Sequence, residues 1–361
     1  MSLTTPTVLV TGVSPDAMAA TTVGLQFDLP SAVVVQHTLD VRTQRLTRIV
    51  SDVTGVIEHV HHDLEHACVS CALREDVVPT LERLARSRRW GAIVVHLPVA
   101  AEALQVCRVV SLQPSPAPHV RIAAVVAAVE GEQACDDLLG DDLLRDRGLH
   151  TSEEDDRGAA ETFAAMVEYA DAVVVSGPAD EQALEVVGAL ARPGVDVVGD
   201  PCALDGAALV DGSLHDHRRT EQWVDVVRRG RLPDLVGRDV WRLDLRSDRP
   251  LHPGRLLAEI EAIGGGPRRS RGCFWLPSRP GDVCVWDGAG GQVSIGHSSS
   301  WGLKDPLTRI VVTGLDDGAA DIRAAFDACL LSDTEIAHRG TFWEVGEDGL
   351  EPWLGPIRRA A

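Results

Sequence analysis

The first two hundred residues alternate between short apolar runs and longer segments with apolar side chains at helical spacing. Residues 7–12 read Thr-Val-Leu-Val-Thr-Gly, an apolar run stopped by glycine, as expected of a buried parallel strand. Residues 32–35, 92–95, 121–129 and 172–175 repeat that pattern. Between them, residues 76–86 place Val77, Leu81 and Leu84 on one helical face, and residues 161–169 and 180–190 predict further helices. Strands alternating with helices predict an α/β fold, a parallel sheet with helices on both faces.

The alternation fades near residue 205. Residues 211–239 are polar and arginine-rich, and predict a helix around 220–229 followed by a linker. A second unit then opens. It has alternating residues at 241–245, a helix after Pro253, strands near 273–276, 283–286, 293–295 and 309–313, and a helix over 319–331. This reads as a smaller α+β domain. The expected organisation is therefore residues 1–210, a helical linker over 211–239, a second domain over 240–340 and a tail over 341–361. The acidic stretch 136–156 reads as a surface insertion with partial disorder.

Composition narrows the function classes. Hydrophobic residues make up 45% of the 361 and charged residues 24%, enough to build a real core. No run of apolar residues is long enough to span a bilayer, and no positive charge precedes the first apolar stretch. The expectation is a cytoplasmic protein with no membrane partner. The net charge of −20, from 34 basic and 54 acidic residues, repels phosphate backbones and argues against direct DNA binding. Two arginine groups, Arg83/Arg86/Arg88/Arg89 and Arg268/Arg269/Arg271, read as solvated faces. Of eight cysteines only Cys68 and Cys71 are close in sequence, which suggests a metal or redox pair and not a disulfide framework. Lys304 is the only lysine, and asparagine is absent.

Residues 58–71 concentrate the chemistry. They read Glu-His-Val-His-His-Asp-Leu-Glu-His-Ala-Cys-Val-Ser-Cys. If residues 56–61 form a strand, His59 and His61 share one face. Cys68 and Cys71, three apart at the start of a helix, can face one ion. Two thiolates with histidine suit Zn²⁺. The candidate ligands are Cys68 and Cys71, with His66 and then His61 completing the set. Two buried thiols beside a solvated histidine loop, or a redox dithiol, are the competing readings.

Two segments carry a family resemblance. Residues 67–76, Ala-Cys-Val-Ser-Cys-Ala-Leu-Arg-Glu-Asp, resemble the Gly-Cys-x-Cys-Cys-x-x-Arg-x-Asp motif of CobW-like GTPases, with Ser70 where the middle cysteine stands. Residues 250–256, Pro-Leu-His-Pro-Gly-Arg-Leu, are similar to the opening of the CobW C-terminal domain, and Arg269-Ser270-Arg271-Gly272 with Trp275 follows in its order. The resemblance implies a P-loop NTPase-like sheet followed by a CobW C-terminal domain. Within that family, the Cys-Val-Ser-Cys form resembles an actinobacterial branch described as zinc-responsive and as recruiting a hibernation factor to ribosomes.

The nucleotide motifs of that family are altered. Its Gly-x-x-Gly-x-Gly-Lys-Thr-Thr loop is replaced by residues 12–22, Gly-Val-Ser-Pro-Asp-Ala-Met-Ala-Ala-Thr-Thr, with Ala20 where the phosphate-binding lysine belongs. Gly12, Thr21 and Thr22 remain as candidates for weak, degenerate nucleotide binding. The Asn-Lys-x-Asp guanine motif is impossible without asparagine, and His96 stands at a strand end where a Mg²⁺-linked acid is expected. The family hydrolyses GTP; these losses predict that this chain does not, and that GTP is a doubtful ligand.

The expected function is therefore zinc-responsive recruitment, with a ribosome or a ribosome hibernation factor as partner. A zinc metallochaperone delivering Zn²⁺ to client proteins is the first alternative. A scaffold with a vestigial metal site is the second. His252 and Arg255 are expected to cap and brace a helix, and Trp275, Trp286 and Trp301 to lie in a core.

Overall fold

The computed structural model describes residues 4–63, 72–150, 155–212 and 214–357. It divides into two compact units, one of residues 1–137 and 142–224, the other of residues 225–361 with 138–141.

The first unit is an eight-stranded sheet. Its strands are β1 (Thr5–Gly12), β2 (Ala32–Asp40), β3 (Arg45–Asp52), β4 (Gly55–Asp63), β5 (Ala92–His96), β6 (Val120–Glu130), β7 (Ala172–Ser176) and β8 (Asp196–Val198). They lie in the order β4-β3-β2-β5-β1-β6-β7-β8. From β2 to β8 all pairs are parallel; β3 and β4 add an antiparallel ribbon at one edge. The helices are α1 (Pro15–Asp28), α2 (Val78–Ser87), α3 (Ala103–Val110), α4 (Ala134–Leu139), α5 (Ala159–Tyr169), α6 (Glu181–Leu190), α7 (Gly206–Asp211) and α8 (His217–Val224).

Period-two alternation puts successive residues of the central strands into different cores. Leu9, Val33, Val35, Ile93, Val95 and Val125 pack under α2 and α3. Val8, Val10, Val34, Val94 and Val126 pack against Ala17, Met18 and Leu25 of α1. Every central strand is thus apolar on both faces, which is why the sequence reads as continuous apolar runs.

Three elements differ from the sequence expectation. Strand β3, Arg-Leu-Thr-Arg-Ile-Val-Ser-Asp, was not expected because polar residues interrupt its apolar period: Leu46, Val50 and Asp52 are buried, Arg45 is exposed and the other four are half-buried. The helix expected from residue 76 begins as a π-helical turn, Leu73–Val77, before α2. The acidic stretch 136–156 is packed in its described part: Leu138, Leu139 and Leu144 are buried, and Arg147 bridges Asp137 and Asp142.

The second unit is an antiparallel sheet of β9 (Trp241–Ser247), β10 (Arg268–Leu276), β11 (Arg279–Ala289), β12 (Gln292–Ser300) and β13 (Thr308–Gly314), in the order β12-β11-β10-β13-β9. Helices α9 (Pro253–Gly264) and α10 (Ala319–Cys329) cover one face around Phe274, Trp286 and Phe326. Cys273, Trp275, Val283, Trp301 and Leu307 pack together in a second cluster. The three tryptophans are core residues. His252 caps α9, its Nδ1 accepting from the Gly254 and Arg255 amides at 3.1 and 3.4 Å. Arg255 braces the same end through Glu335, 2.6 Å away, in α11 (Asp333–Arg339). Residues expected as a tail are held down through residue 357. Asp348 accepts from buried Arg279 and from Ser278 at 2.8 and 2.6 Å, Leu350 is fully buried, and α12 (Glu351–Leu354) follows.

The first arginine group is a solvated face, with Arg83, Arg86, Arg88 and Arg89 all exposed, whereas the second is partly buried and paired. Arg83 pairs with Glu58 and Arg89 with Asp52. Arg268 pairs with Asp316, and Arg269 is buried against Asp287.

Candidate functional site

In open α/β sheets ligands sit at the carboxyl ends of parallel strands, where chain direction switches across the sheet. Here that region joins the ends of β1, β2 and β5 to the start of α1. It differs from a phosphate-binding loop in backbone and in charge.

Strand β1 ends at Gly12 and α1 starts at Pro15, so only Val13 and Ser14 separate them. Two residues cannot wrap a phosphate. Ser14 is the N-cap, its Oγ accepting from the Ala17 amide at 3.2 Å. The same hydroxyl donates to Glu130 Oε2 at 3.3 Å. A carboxylate from the end of β6 therefore stands at the positive end of α1, with Asp16 in its first turn. The segment after β5 is bonded onto the end of β1: Leu97 N donates to Val10 O, Ala100 N to Gly12 O, and Thr11 Oγ1 to Ala101 O at 2.6 Å.

The three candidate nucleotide residues serve the fold. A Cβ at Gly12 would lie 2.7 Å from Ala128 O, so glycine is required by sheet packing. Thr21 is fully buried and donates to Ala17 O at 2.8 Å; Thr22 donates to Met18 O at 2.7 Å. Both hydroxyl protons are spent inside α1. Nothing in the sequence spacing revealed this, because the two-residue β1–α1 connection moves both threonines into the second helical turn.

Beside this junction lies a cavity of about 620 Å³, lined by Pro15, Gln36, His37, Asp40, His96 and His150 among others. Three imidazoles, of His37, His96 and His150, stand there beside Gln36, Thr38, Asp40 and Arg42. His96 Nδ1 bonds the Thr22 hydroxyl at 3.1 Å. Because that hydroxyl already donates to Met18, the Nδ1 nitrogen carries the proton and Nε2 keeps its lone pair. Burial, with His37 nearby, lowers the His96 pKa to about 4. His37 is buried, and its Nε2 faces Asp76 Oδ1 at 2.8 Å, leaving Nδ1 sealed without a partner. Burial outweighs the Asp76 carboxylate and lowers the His37 pKa also. Both rings are neutral at pH 7. Neutral imidazoles suit Zn²⁺ and other borderline ions, not the hard Mg²⁺ of a nucleotide site.

Asp76 organises the neighbouring edge. It projects from the π-turn, five residues after Cys71, and meets three cationic or titratable groups from three strands. These are His37 of β2, Arg48 of β3 and, at 3.0 Å, His62 of β4. Arg48 also donates to Thr80 at 2.9 Å, and Arg83 grips Glu58 through two bonds of 2.7 and 2.8 Å. Burial would raise the Asp76 pKa, but the bonds from His37 and Arg48 overcome it and hold the carboxyl at about 2. The motif contained Asp76, but its partners lie 14 to 39 residues away, beyond the reach of local spacing.

Of the expected metal ligands, Cys68, Cys71 and His66 lie outside the described residues. His61 is exposed on β4, its Nδ1 3.0 Å from Thr47 Oγ1. His59 stands on the same face, with the two rings 4.7 Å apart. Among the described residues, no three histidine, cysteine or acidic side chains are arranged to hold a metal ion.

The fold and the altered strand-end site define a P-loop NTPase-type α/β unit with an appended antiparallel-sheet unit. Residues 29–185 match the family described as "CobW/HypB/UreG, nucleotide-binding domain", and residues 240–330 match "Cobalamin synthesis protein cobW C-terminal domain". The chain is thus a CobW/HypB/UreG nucleotide-binding domain followed by a CobW C-terminal domain. The first match begins after the β1–α1 junction. The chain is 28% identical to "Zinc chaperone Rv0106" of Mycobacterium tuberculosis, covering 89% of this chain and 87% of that one. It is 17% identical to "Zinc-regulated GTPase metalloprotein activator 1" of Dictyostelium discoideum, covering 92% and 76%. A Zn(II)-bound YjiA GTPase from E. coli aligns over 91% of this chain and 99% of its own, at 16% identity and a TM-score of 0.35.

Proposed function

We propose that this protein is a zinc chaperone of the CobW type, with Zn²⁺ as cargo for client proteins. One observation carries the reading. The edge strand β4 ends in His59, His61 and His62, immediately before the segment that holds Cys68 and Cys71, and the Asp76 network fixes the turn on the far side of that segment. Borderline imidazole donors thus stand at one sheet edge, where a client can approach, and Cys68 and Cys71 follow within a few residues in sequence. Cys68 and Cys71 supply thiolates and His66 or His61 imidazole, a donor set that fits Zn²⁺. Ser70 in place of the family's middle cysteine weakens retention and favours transfer.

The names of the relatives support delivery of zinc. They lend nothing to recruitment of a factor to ribosomes, and the chaperone reading replaces it. The two-residue β1–α1 connection, Glu130 and the missing lysine argue that release does not run on GTP hydrolysis in this chain. The test is transfer of zinc from loaded protein to an apo zinc enzyme in the presence of a competing chelator. Transfer should outpace chelator-buffered zinc, should disappear in Cys68→Ala/Cys71→Ala, and should not need Mg²⁺ and GTP. Equal transfer by the double variant would refute the reading.

A further inference from the structure

Strand β4 is anchored through one of its faces. Arg83 of α2 grips Glu58 through bonds of 2.7 and 2.8 Å, and His62 lies 3.0 Å from Asp76 of the π-turn. Period-two alternation sends His59 and His61 to the opposite face. Both are exposed there, at the edge of the sheet, and among the described residues only β3 pairs with this strand.

The two imidazoles already have the spacing of ligands to one ion. Their ring centres are 4.7 Å apart and their planes are inclined by 56°. Two imidazoles bound in plane to a tetrahedral ion, each nitrogen about 2.0–2.1 Å from it, have ring centres roughly 5 Å apart. His61 is oriented from its other nitrogen. Its Nδ1 lies 3.0 Å from the hydroxyl of Thr47, its cross-strand partner on β3. With Nδ1–H donating to that oxygen, the Nε2 lone pair is left for a metal. A hydrogen-bond acceptor on the second nitrogen is what fixes the tautomer and ring of a metal-bound histidine. Asp63 shares the face but lies four residues from His59, about 13 Å along a strand, and its carboxylate is 3.0 Å from Arg45 Nε. Among the described residues no third donor completes the set.

We propose that His59 and His61 form a second, exchange-labile site for Zn²⁺, separate from the thiolate pair, with water in the remaining positions. Imidazoles select borderline divalent ions over Mg²⁺ and Ca²⁺. Two protein ligands leave two positions of a tetrahedral ion open, so an incoming donor joins before either imidazole departs. Such a site captures an ion and does not store it. Its role, which rests on the reading of Zn²⁺ as cargo, is to pass the ion to Cys68 and Cys71, the first of them seven residues beyond His61. His61 is then committed to His59, and His66 is left to the thiolates.

The site is tested in full-length Cys68→Ala/Cys71→Ala protein, by competition for Zn²⁺ with a chromophoric chelator. One ion should bind. His59→Gln/His61→Gln should abolish that binding, and Thr47→Val should weaken it about tenfold, the scale for loss of a group that orients a metal-bound histidine. Bound Cu²⁺ should show two imidazole nitrogens by pulsed electron paramagnetic resonance, and one in His59→Gln. Unchanged zinc affinity in folded His59→Gln/His61→Gln, or an unchanged nitrogen count, would overturn the site. The capture role is read with both cysteines present. There His59→Gln/His61→Gln should slow loading from buffered zinc in proportion to the lost capture affinity, about tenfold or more, while the thiolate pair keeps its ion at equilibrium. Loading at the wild-type rate would overturn the capture role. A weakened thiolate site would make His61 its ligand and overturn the separation of the two sites. Failure of the cysteine pair to bind zinc would count against the chaperone reading alone, since the first measurement judges the imidazole pair without it.

Discussion

Asp76 is the residue on which the candidate metal-bearing edge is built. Removing its charge leaves His37 and Arg48 facing a neutral amide in a largely buried place. Asp76→Asn is expected to cost about 3 kcal/mol in chemical denaturation. Its pH dependence follows from the depressed pKa. A carboxyl held at about 2 against an ordinary 3.8 stabilises the folded state above about pH 4, and that stability is lost as pH falls toward 2. The contribution is on the order of 2 kcal/mol. The gap between wild type and Asp76→Asn should therefore be full at pH 6 and narrow below pH 4; a constant gap would remove the ionic account. Asp76 could be read in the motif at residues 67–76. Its role could not, since Arg48 and His62 belong to a strand ribbon that residue spacing only half revealed.

Among the elements, the central strands and most helices were legible because burial on both faces, or on one helical stripe, leaves an unambiguous apolar period. Strand β3 and the π-turn were not, because neither rests on apolar periodicity. β3 is held by pairing with β2 and β4, and the π-turn holds the Asp76 side chain in reach of its partners. The β9–β13 sheet shows what a motif glycine does. A Cβ at Gly272 would lie 1.8 Å from Arg309 O on the neighbouring strand β13. No side-chain rearrangement relieves a clash with backbone, so Gly272→Ala should destabilise this unit by more than about 3 kcal/mol. Loss of the near-ultraviolet circular dichroism of Trp275 and Trp286 would report it. Retention of wild-type signal and midpoint would show that β10 and β13 can separate at no cost.

At the scale of the whole molecule, the dominant quantity is a net charge of −20. Self-repulsion on that scale opposes the compact state and is screened when the Debye length shortens. Raising sodium chloride from about 10 mM to about 150 mM, where that length falls from roughly 30 to 8 Å, should raise the thermal midpoint. A fall would mean that the arginine–carboxylate pairs, which salt weakens, outweigh the repulsion. Those pairs are numerous because arginine supplies nearly all the basic charge. Arg269, Arg279 and Arg309 are buried in the second unit, each against an aspartate. A planar guanidinium tolerates such burial better than an ammonium ion does.

The sequence by itself determined the α/β class, the second α+β domain, the tryptophan cores, the helix cap at His252 and the loss of the lysine and guanine motifs. Each depends on residue type and local period, which a chain carries wherever it folds. Only the tertiary structure decided what replaced the lost nucleotide loop: Glu130 brought 116 residues to Ser14, and neutral His37 and His96 brought to one cavity. It also decided that Thr21 and Thr22 turn inward, and that Asp171 and His215 meet. Those features come from non-local strand pairing and helix packing, and from the shift in protonation that burial imposes on groups the sequence presents as ordinary.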